Sequence, residues 1–331
     1  MQIMASSRNK SIYMLIRILF FVAIVLTATQ TGQAQNELPF DTSELQTLRS
    51  YEDTLGLLSF LVVNDSLPEN RFVACRHLIK TLVKALKTEN SFHYPFERMR
   101  TVSIQYPADS TFRIFTWQLY VDANEYRYYG AIQLNSPELK LIPLVDRSFT
   151  IQSEEQAILP PENWYGALYY NIYDFDTPEG RKYLLFGYNA YSFFNHKKLI
   201  DVLTLKDGKA TFGAPVFVYH FPENDSTEVK NRVVFTYSAE AAFKMNYDET
   251  LGMIVYDHLT PMGGNYGQGM SMVPDGTYEA LKLESGRWVW VPYLENQILD
   301  EAPRPEPVLD NRKNKDLLGK EKKGNGDGSR E

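Results

Sequence analysis

Two apolar runs, Phe112–Val121 (FRIFTWQLYV) and Tyr126–Leu134 (YRYYGAIQL), flank the polar tetrapeptide Asp122–Glu125 (DANE). Both runs are rich in aromatic and β-branched residues, which favour β-strands. The tetrapeptide between them is typical of a turn. The stretch from 112 to 134 therefore predicts a β-hairpin.

Similar apolar runs recur between Thr101 and Tyr293, and turn sequences separate them. No helical crossover sequence lies between the runs, which predicts an antiparallel meander and not βαβ units. A mainly β fold follows, either a large sandwich or barrel-like, with a small propeller as the alternative. The further runs are Tyr183–Tyr188, Leu199–Leu205, Arg232–Tyr237, Met253–Tyr256 and Arg287–Val291.

An α-helical hairpin is predicted over residues 35–95, before an antiparallel β domain at 96–296. Asp41 with Glu44, and Ser66 with Glu69, have the spacing of a capping box, which marks the start of a helix. We expect helices over 42–63 and 67–88. The second helix has an apolar stripe, so Cys75 should be buried and His77, outside the stripe, exposed. The stripe consists of Phe72, Cys75, Ile79, Leu82 and Leu86.

Residues 1–34 have the pattern of a secretory signal peptide. Basic residues precede the apolar run Ile18–Ala28, and the small residues Gly32 and Ala34 follow it, which predicts cleavage after Ala34. The run is too short for a membrane-spanning helix. We expect an exported protein without a transmembrane anchor, located in the periplasm, on the cell surface or in the medium.

The remaining composition limits the partners. Removal of the signal peptide changes the formal net charge of −7 to about −10, which disfavours nucleic acid as a partner. Cys75 is the sole cysteine, so no intrachain disulfide can form. Residues 297–331 are charged and poor in apolar side chains, which predicts a disordered tail.

Aromatic residues are abundant, with 22 Tyr, 19 Phe and 4 Trp. Tyrosine combines an apolar ring with a hydroxyl, so clusters of it suit half-wet binding surfaces. Our first hypothesis is a non-enzymatic binding or structural protein of the cell envelope, without a cofactor. Its aromatic β surface would bind a glycan, a peptide or another envelope protein. The candidate ligand-binding residues are Trp164, Tyr165, Tyr169, Tyr188 and Tyr191.

The competing hypothesis is a hydrolase, possibly metal-dependent, around Asp257, His258 and Asp275. Asp257 and His258 are adjacent on a predicted strand and should point to opposite faces, so either one could join Asp275 across the glycine-rich segment 263–269. The same residues could simply anchor that segment. Nucleophile and zinc motifs of the GxSxG, HExxH and CxxC types are absent from the sequence.

A weaker candidate for metal binding is the acidic stretch 174–180. Asp174, Asp176 and Glu179 offer oxygen atoms of the kind that Ca²⁺ binds. The full series of ligands is missing, and the stretch is equally typical of a hairpin turn, which we favour. His196, Lys197 and Lys198 are expected in a loop.

Several segments resemble a family of uncharacterised exported proteins from Bacteroidetes-type Gram-negative bacteria. The resemblance implies export but no assigned chemistry, so it assigns no functional residue. The segments are Tyr126–Gly130 (YRYYG), Glu162–Tyr170 (ENWYGALYY), Lys182–Tyr188 (KYLLFGY), Ile200–Leu203 (IDVL), Phe212–Pro215 (FGAP), Ile254–Leu259 (IVYDHL) and Pro274–Gly276 (PDG).

Overall fold

The computed structural model describes residues 40–264 and 269–294. They form two long helices followed by strands in three sheets. The predicted fold class, mainly β with a preceding helical hairpin, is confirmed. The predicted signal peptide (1–34) and charged tail (297–331) lie outside the described residues.

Helix α1 spans Thr42–Asn64, and its predicted capping box is confirmed. The Asp41 carboxylate accepts a hydrogen bond from the Glu44 backbone N–H at 2.7 Å, and the Glu44 side chain accepts one from the Asp41 N–H at 3.1 Å. Two backbone donors that the helix leaves without partners are thereby satisfied.

Helix α2 spans Pro68–Leu86, and the predicted cap at Ser66 is wrong. The N-cap is Leu67, which makes no side-chain cap, and Pro68 occupies the first turn. Proline suits that position because it lacks an N–H and its φ is already helical. The Asp65 carboxylate accepts the Leu67 N–H instead, at 2.9 Å. As predicted, Cys75 is buried and His77 is exposed.

Sheet 1 comprises β1 (Ser103–Gln105), β2 (Phe112–Asp122), β3 (Glu125–Leu134) and β4 (Leu141–Val145), in that order. Sheet 2 comprises β5 (Leu168–Thr177), β6 (Gly180–Asn189), β7 (Asn195–Lys206), β8 (Lys209–Phe212) and β11 (Val233–Ser238). Its order is β11-β7-β6-β5, and β8 pairs with β7.

Sheet 3 comprises β9 (Phe217–Phe221), β10 (Ser226–Lys230), β12 (Met245–Asp248), β13 (Met253–Gly263), β14 (Met270–Glu284) and β15 (Arg287–Val291). Its order is β10-β9-β15-β14-β13-β12. The pairing of β15 with β9 is parallel, and the other strand pairs of the described residues are antiparallel. All three strand orders are open, in line with the sandwich alternative.

The helices cover one face of sheet 1. Successive side chains of a strand point to opposite faces, and β2 is buried on both. Trp117 faces the helices, where its indole N–H lies 3.5 Å from the Cys75 sulfur. Phe112 and Ile114 face the other way and belong to a core shared with sheet 2.

Sheet 2 lies between sheets 1 and 3. Leu185 and Leu203 belong to the core shared with sheet 1, whereas Leu184 and Val202 belong to the core shared with sheet 3. A sheet covered on both faces needs a continuous apolar run instead of alternation. The order of layers is thus the helices, then sheet 1, sheet 2 and sheet 3.

Candidate binding cleft

A cleft of about 820 Å³ lies where β3 and β4, the segment after β4 and the β6–β7 loop meet. Its volume is in the range of sites that hold small ligands. Its aromatic lining residues are Tyr126, Tyr128, Tyr129, Phe149, Tyr165 and Tyr191, and its charged ones are Glu125, Arg127, Asp146, Arg147, Glu154 and Lys197.

Two aromatic side chains at the cleft are largely open to solvent. Phe149 is 78% exposed and Tyr191 is 51% exposed. Tyr191 has a φ of 47°, which is unusual for a residue with a bulky side chain. Its backbone N–H donates to the Asn189 side chain at 2.8 Å, and Asn189 in turn donates to the Gly166 carbonyl oxygen. These bonds fix the loop that presents the Tyr191 ring.

An ion pair between the buried Lys197 and the half-buried Glu154 lies beside Tyr191. The Lys197 ammonium is 2.7 and 3.0 Å from the two Glu154 carboxylate oxygens, and it is 4.0 Å from the centre of the Tyr191 ring. The Tyr165 hydroxyl is close enough to feel the charge of Glu154. Burial, and then the charge of Glu154, raises the pKa of Tyr165 well above its ordinary value, so the hydroxyl keeps its proton as a donor.

The other charged side chains that line the cleft have different partners. Arg127 forms an ion pair with Glu125 at 2.9 Å. The Asp146 carboxylate accepts hydrogen bonds from the Tyr128 N–H and from the backbone and hydroxyl of Ser148. Arg147 is exposed, and within residues 40–264 and 269–294 it makes no ion pair.

Trp164 and Tyr169, two of the predicted ligand-binding residues, are buried in the core between sheets 1 and 2 and are not part of the cleft lining. They belong to a chain of polar contacts. The Trp164 indole N–H donates to the Tyr169 hydroxyl at 2.8 Å, and that hydroxyl lies 3.5 Å from the Asp201 carboxylate. Asp201 pairs with Arg232 at 2.9 Å, and both side chains are fully buried. Arg232 then donates to the backbone carbonyl of Glu154 at 2.7 Å. Trp164 and Tyr169 therefore support the cleft from behind.

The other three aromatic candidates are placed differently. Tyr191 lines the cleft and is 51% exposed, whereas Tyr165 borders the cleft but is 1% exposed and belongs to the same core as Trp164 and Tyr169. Tyr188 is half-buried, packs against the core between sheets 1 and 2, and lies 5.4 Å from the His196 ring. It is not part of the cleft lining.

In the structure the His258 side chain contacts Asp275, and Asp257 does not take part in that contact. Nδ1 of His258 lies 2.7 Å from an Asp275 oxygen. Asp257 is buried on the opposite face of β13, where it accepts the Lys244 backbone N–H at 2.5 Å. Burial raises the pKa of Asp257. The proposed group of three acidic and imidazole side chains is therefore not assembled.

The partners of His258 anchor an irregular stretch of β14. The register of β13 and β14 shifts between Asp257 and Leu259, opposite Asp275. Hydrogen bonds from Thr277, followed by the one from His258, lower the pKa of Asp275 to about 2. The other imidazole nitrogen faces Glu279 at 3.7 Å. Both ring nitrogens thus face carboxylates, which leaves neither directed at a nucleophile.

The acidic stretch 174–180 forms the β5–β6 hairpin, so the interpretation as a turn is confirmed. Arg181 pairs with Asp174 at 3.6 Å and with Asp176 at 3.2 Å, while Glu179 lies 3.9 Å from Lys182. The carboxylates proposed for Ca²⁺ therefore have protein cations as partners. The part of the chain that the structure describes holds no cluster of three or more His, Cys, Asp or Glu side chains suited to a metal ion.

Sequence reasoning missed four residues of the cleft. Phe149 lies in a short 3-10 helix, Ser148–Thr150, and Glu154 lies in the chain that follows it; neither position has a periodic pattern that marks a function. Arg147 is in the same segment. Lys197 was expected in a loop, but β7 begins at Asn195, and strand pairing turns Lys197 toward Glu154. The one sequence signal for this part of the cleft was an apolar residue, Phe149, in an otherwise polar segment.

In comparisons with known proteins, no family model, curated protein or solved structure matches the chain. Within the described ranges, no helix has both the length and the apolar character needed to cross a membrane.

Proposed function

We propose that the protein is an exported, non-enzymatic binding protein of the cell envelope, and that the cleft holds its ligand, a glycan or a peptide. The observation that carries the proposal is the exposed pair of rings, Phe149 and Tyr191, beside the fixed polar group of Glu154, Lys197 and Tyr165.

The chemistry of the cleft suits such a ligand. Glycans and peptides have apolar faces edged with polar groups, and aromatic rings next to fixed donors and acceptors complement both. Because Lys197 holds the carboxylate of Glu154 and Arg232 holds its backbone carbonyl, the position of Glu154 does not depend on a ligand. A site that is already ordered loses less conformational entropy on binding.

Export and kinship rest on the sequence. The charged start, the apolar run and the small residues at 32 and 34 support export, and the resemblance to exported proteins of Bacteroidetes-type bacteria supports the same compartment.

The competing proposal, a hydrolase, is favoured by one observation, the 2.7 Å contact between His258 and Asp275. Such a pair resembles a base with the group that orients it. A hydrolase would also need a nucleophile or an activated water near the second ring nitrogen, and Glu279 faces that nitrogen.

Retention on envelopes tests the two proposals against each other. Purified protein is mixed with envelopes of the producing cells, and the retained fraction is measured for the wild type, Phe149→Ala, Tyr191→Ala and His258→Ala. Each of the first two variants should lower retention about tenfold, as expected when an aromatic contact of a binding site is lost. His258→Ala is the control and should be retained like the wild type.

The opposite pattern would reject the proposed function. If His258→Ala and Asp275→Ala abolish retention or any turnover, while Phe149→Ala and Tyr191→Ala change neither, the hydrolase takes its place. Trp164→Ala is unsuitable as a probe of binding, because its side chain is fully buried and its removal would destabilise the fold.

A further inference from the structure

We infer that the cleft binds an acidic saccharide, a sugar chain that carries carboxylates, and that Arg147 recognises the charge. The inference deepens the proposed function and rests on it.

The charges of the cleft lining point to Arg147. Lys197 is neutralised by Glu154, and Arg127 by Glu125. Arg147 is exposed, lines the cleft and has no ion-pair partner among the described residues. A guanidinium presents a planar fork of N–H donors that matches a carboxylate in a bidentate arrangement. A ligand carboxylate would therefore find one open cation here.

The backbone holds Arg147 in place at the cleft. Its N–H donates to the Trp164 carbonyl oxygen at 2.9 Å, and the neighbouring Asp146 forms a parallel bridge with Trp164. Trp164 is itself buried and hydrogen-bonded to Tyr169. The segment that carries both Arg147 and Phe149 is thus tied to the core between sheets 1 and 2.

The same contacts favour a saccharide over a peptide. Extended peptides commonly bind by adding a strand to a free sheet edge. At the cleft, the chain that continues β4 already pairs with Trp164, so that end of the edge is occupied. A sugar ring needs no such edge. It requires an aromatic face, which Phe149 or Tyr191 supplies, together with a hydrogen-bond donor and an acceptor, which Lys197 and Glu154 respectively supply.

The test compares acidic sugars with neutral forms of the same sugars. Binding of tetragalacturonate and of a hyaluronan tetrasaccharide to the full mature chain is measured by calorimetry, next to the methyl ester of each. The acid should bind at least about fivefold more tightly than its ester, since only the acid can pair with a guanidinium. The preference should weaken as salt concentration rises.

Arg147→Gln is the decisive variant. It should bind acid and ester with equal affinity, because the group that distinguishes them is gone. Lys209→Gln is the matched control, since Lys209 is exposed in the β7–β8 hairpin and lies outside the cleft lining. That control removes the same charge and should keep the preference for the acid. Both positions are exposed, so both variants should fold, which circular dichroism checks.

Each other outcome overturns the inference. Equal affinity of the wild type for acid and ester, or a preference that survives in Arg147→Gln, would reject recognition of the charge and leave the proposed function standing. Tighter binding of an oligoglutamate peptide would assign the cleft to acidic peptides. Absence of binding to every sugar would reject the saccharide, and the proposed function would fail with it only if Phe149→Ala and Tyr191→Ala also leave envelope retention unchanged.

Discussion

The Asp201–Arg232 ion pair is the residue-scale feature on which the cleft most depends. Both side chains are fully buried, and Arg232 connects the pair to the Glu154 backbone. Burial alone would lower the pKa of Arg232, but the negative charge of Asp201, 2.9 Å away, outweighs that effect and raises it. Arg232 therefore remains charged and needs its partner.

Replacement of Asp201 by Asn should destabilise the protein by about 3–5 kcal/mol, because a buried guanidinium is left without a counter-charge. Chemical denaturation of wild type and variant measures the difference. The double variant Asp201→Leu with Arg232→Met is the control and should recover most of the loss, since it removes both charges. A loss below about 1 kcal/mol in Asp201→Asn, the size of an ordinary surface substitution, would contradict this account.

The Asp275 carboxyl predicts a defined pH dependence. Hydrogen bonds from Thr277 and His258 hold its pKa at about 2 in the folded state, below the ordinary value of an unfolded aspartate. Its contribution to stability is therefore fully present above about pH 4 and is lost as the pH falls toward about 2.

Asp275→Asn tests that dependence. The amide oxygen can still accept the Thr277 hydrogen bonds, but it does not titrate. The free energy of unfolding of the variant should fall less steeply between pH 4 and pH 2 than that of the wild type. Identical slopes would show that Asp275 titrates alike in the folded and unfolded states.

Residue type predicted some of the aromatic residues at the cleft, but it did not predict which aromatic side chains are buried. Tyr191 is exposed on the cleft lining, whereas Trp164, Tyr165 and Tyr169 are all buried in the core, and of these three only Tyr165 borders the cleft. Aromatic side chains fill β cores as readily as they line binding sites. Whether an aromatic side chain fills a core or lines a binding site depends on where its strand lies among the layers. The neighbouring residues in the sequence do not encode that position.

At the scale of elements, the two helix starts provide a matched pair. Asp41 makes both bonds of a capping box, whereas Ser66 has the same spacing and does not cap. Asp41→Ala should therefore cost about 1 kcal/mol of stability. Ser66→Ala is the control and should change stability by less than about 0.5 kcal/mol, as an exposed substitution does. Similar losses from the two variants, measured by urea denaturation, would contradict the assignment of the caps.

The elements were predicted best where the local signals agreed. The hairpin of β2 and β3 combines apolar runs with a turn sequence, and the structure pairs Phe112 with Leu134 as the end of that hairpin. At α2, Pro68 outweighs the capping-box spacing of Ser66, because a proline fixes the first helical turn by itself. At β7, Lys197 and Lys198 were predicted to lie in a loop because they are charged. In the structure Lys197 pairs with Glu154, and Lys198 donates a hydrogen bond to the Phe243 carbonyl oxygen.

At the scale of the whole molecule, the stacking of three sheets could not be predicted from the sequence pattern. Continuous apolar runs such as 183–186 are consistent with a strand covered on both faces, but spacing alone did not say which layers cover it. Two separate cores, one on each face of sheet 2, settle the layering. Long-range pairing such as that of β15 with β9 leaves no local trace in the sequence.

Export is the whole-molecule prediction that rests on sequence alone. N-terminal sequencing of protein from the envelope or medium of the producing cell should begin at Gln35, because the small residues Gly32 and Ala34 define the cleavage site. Protein expressed without residues 1–34 is the control and should remain in the cytoplasm. Recovery of the intact Met1 terminus from soluble cytoplasm would contradict export.

Hydrogen exchange with and without envelope extract tests most directly whether the cleft is the binding site. Bound ligand should slow exchange of the amides at 146–154 and 189–197, the segments that carry Phe149, Glu154, Tyr191 and Lys197. Amides around His258 and Asp275 should exchange at unchanged rates, and Tyr191→Ala should weaken the protection. Protection confined to 256–260 and 274–279, with none at the cleft, would contradict the account.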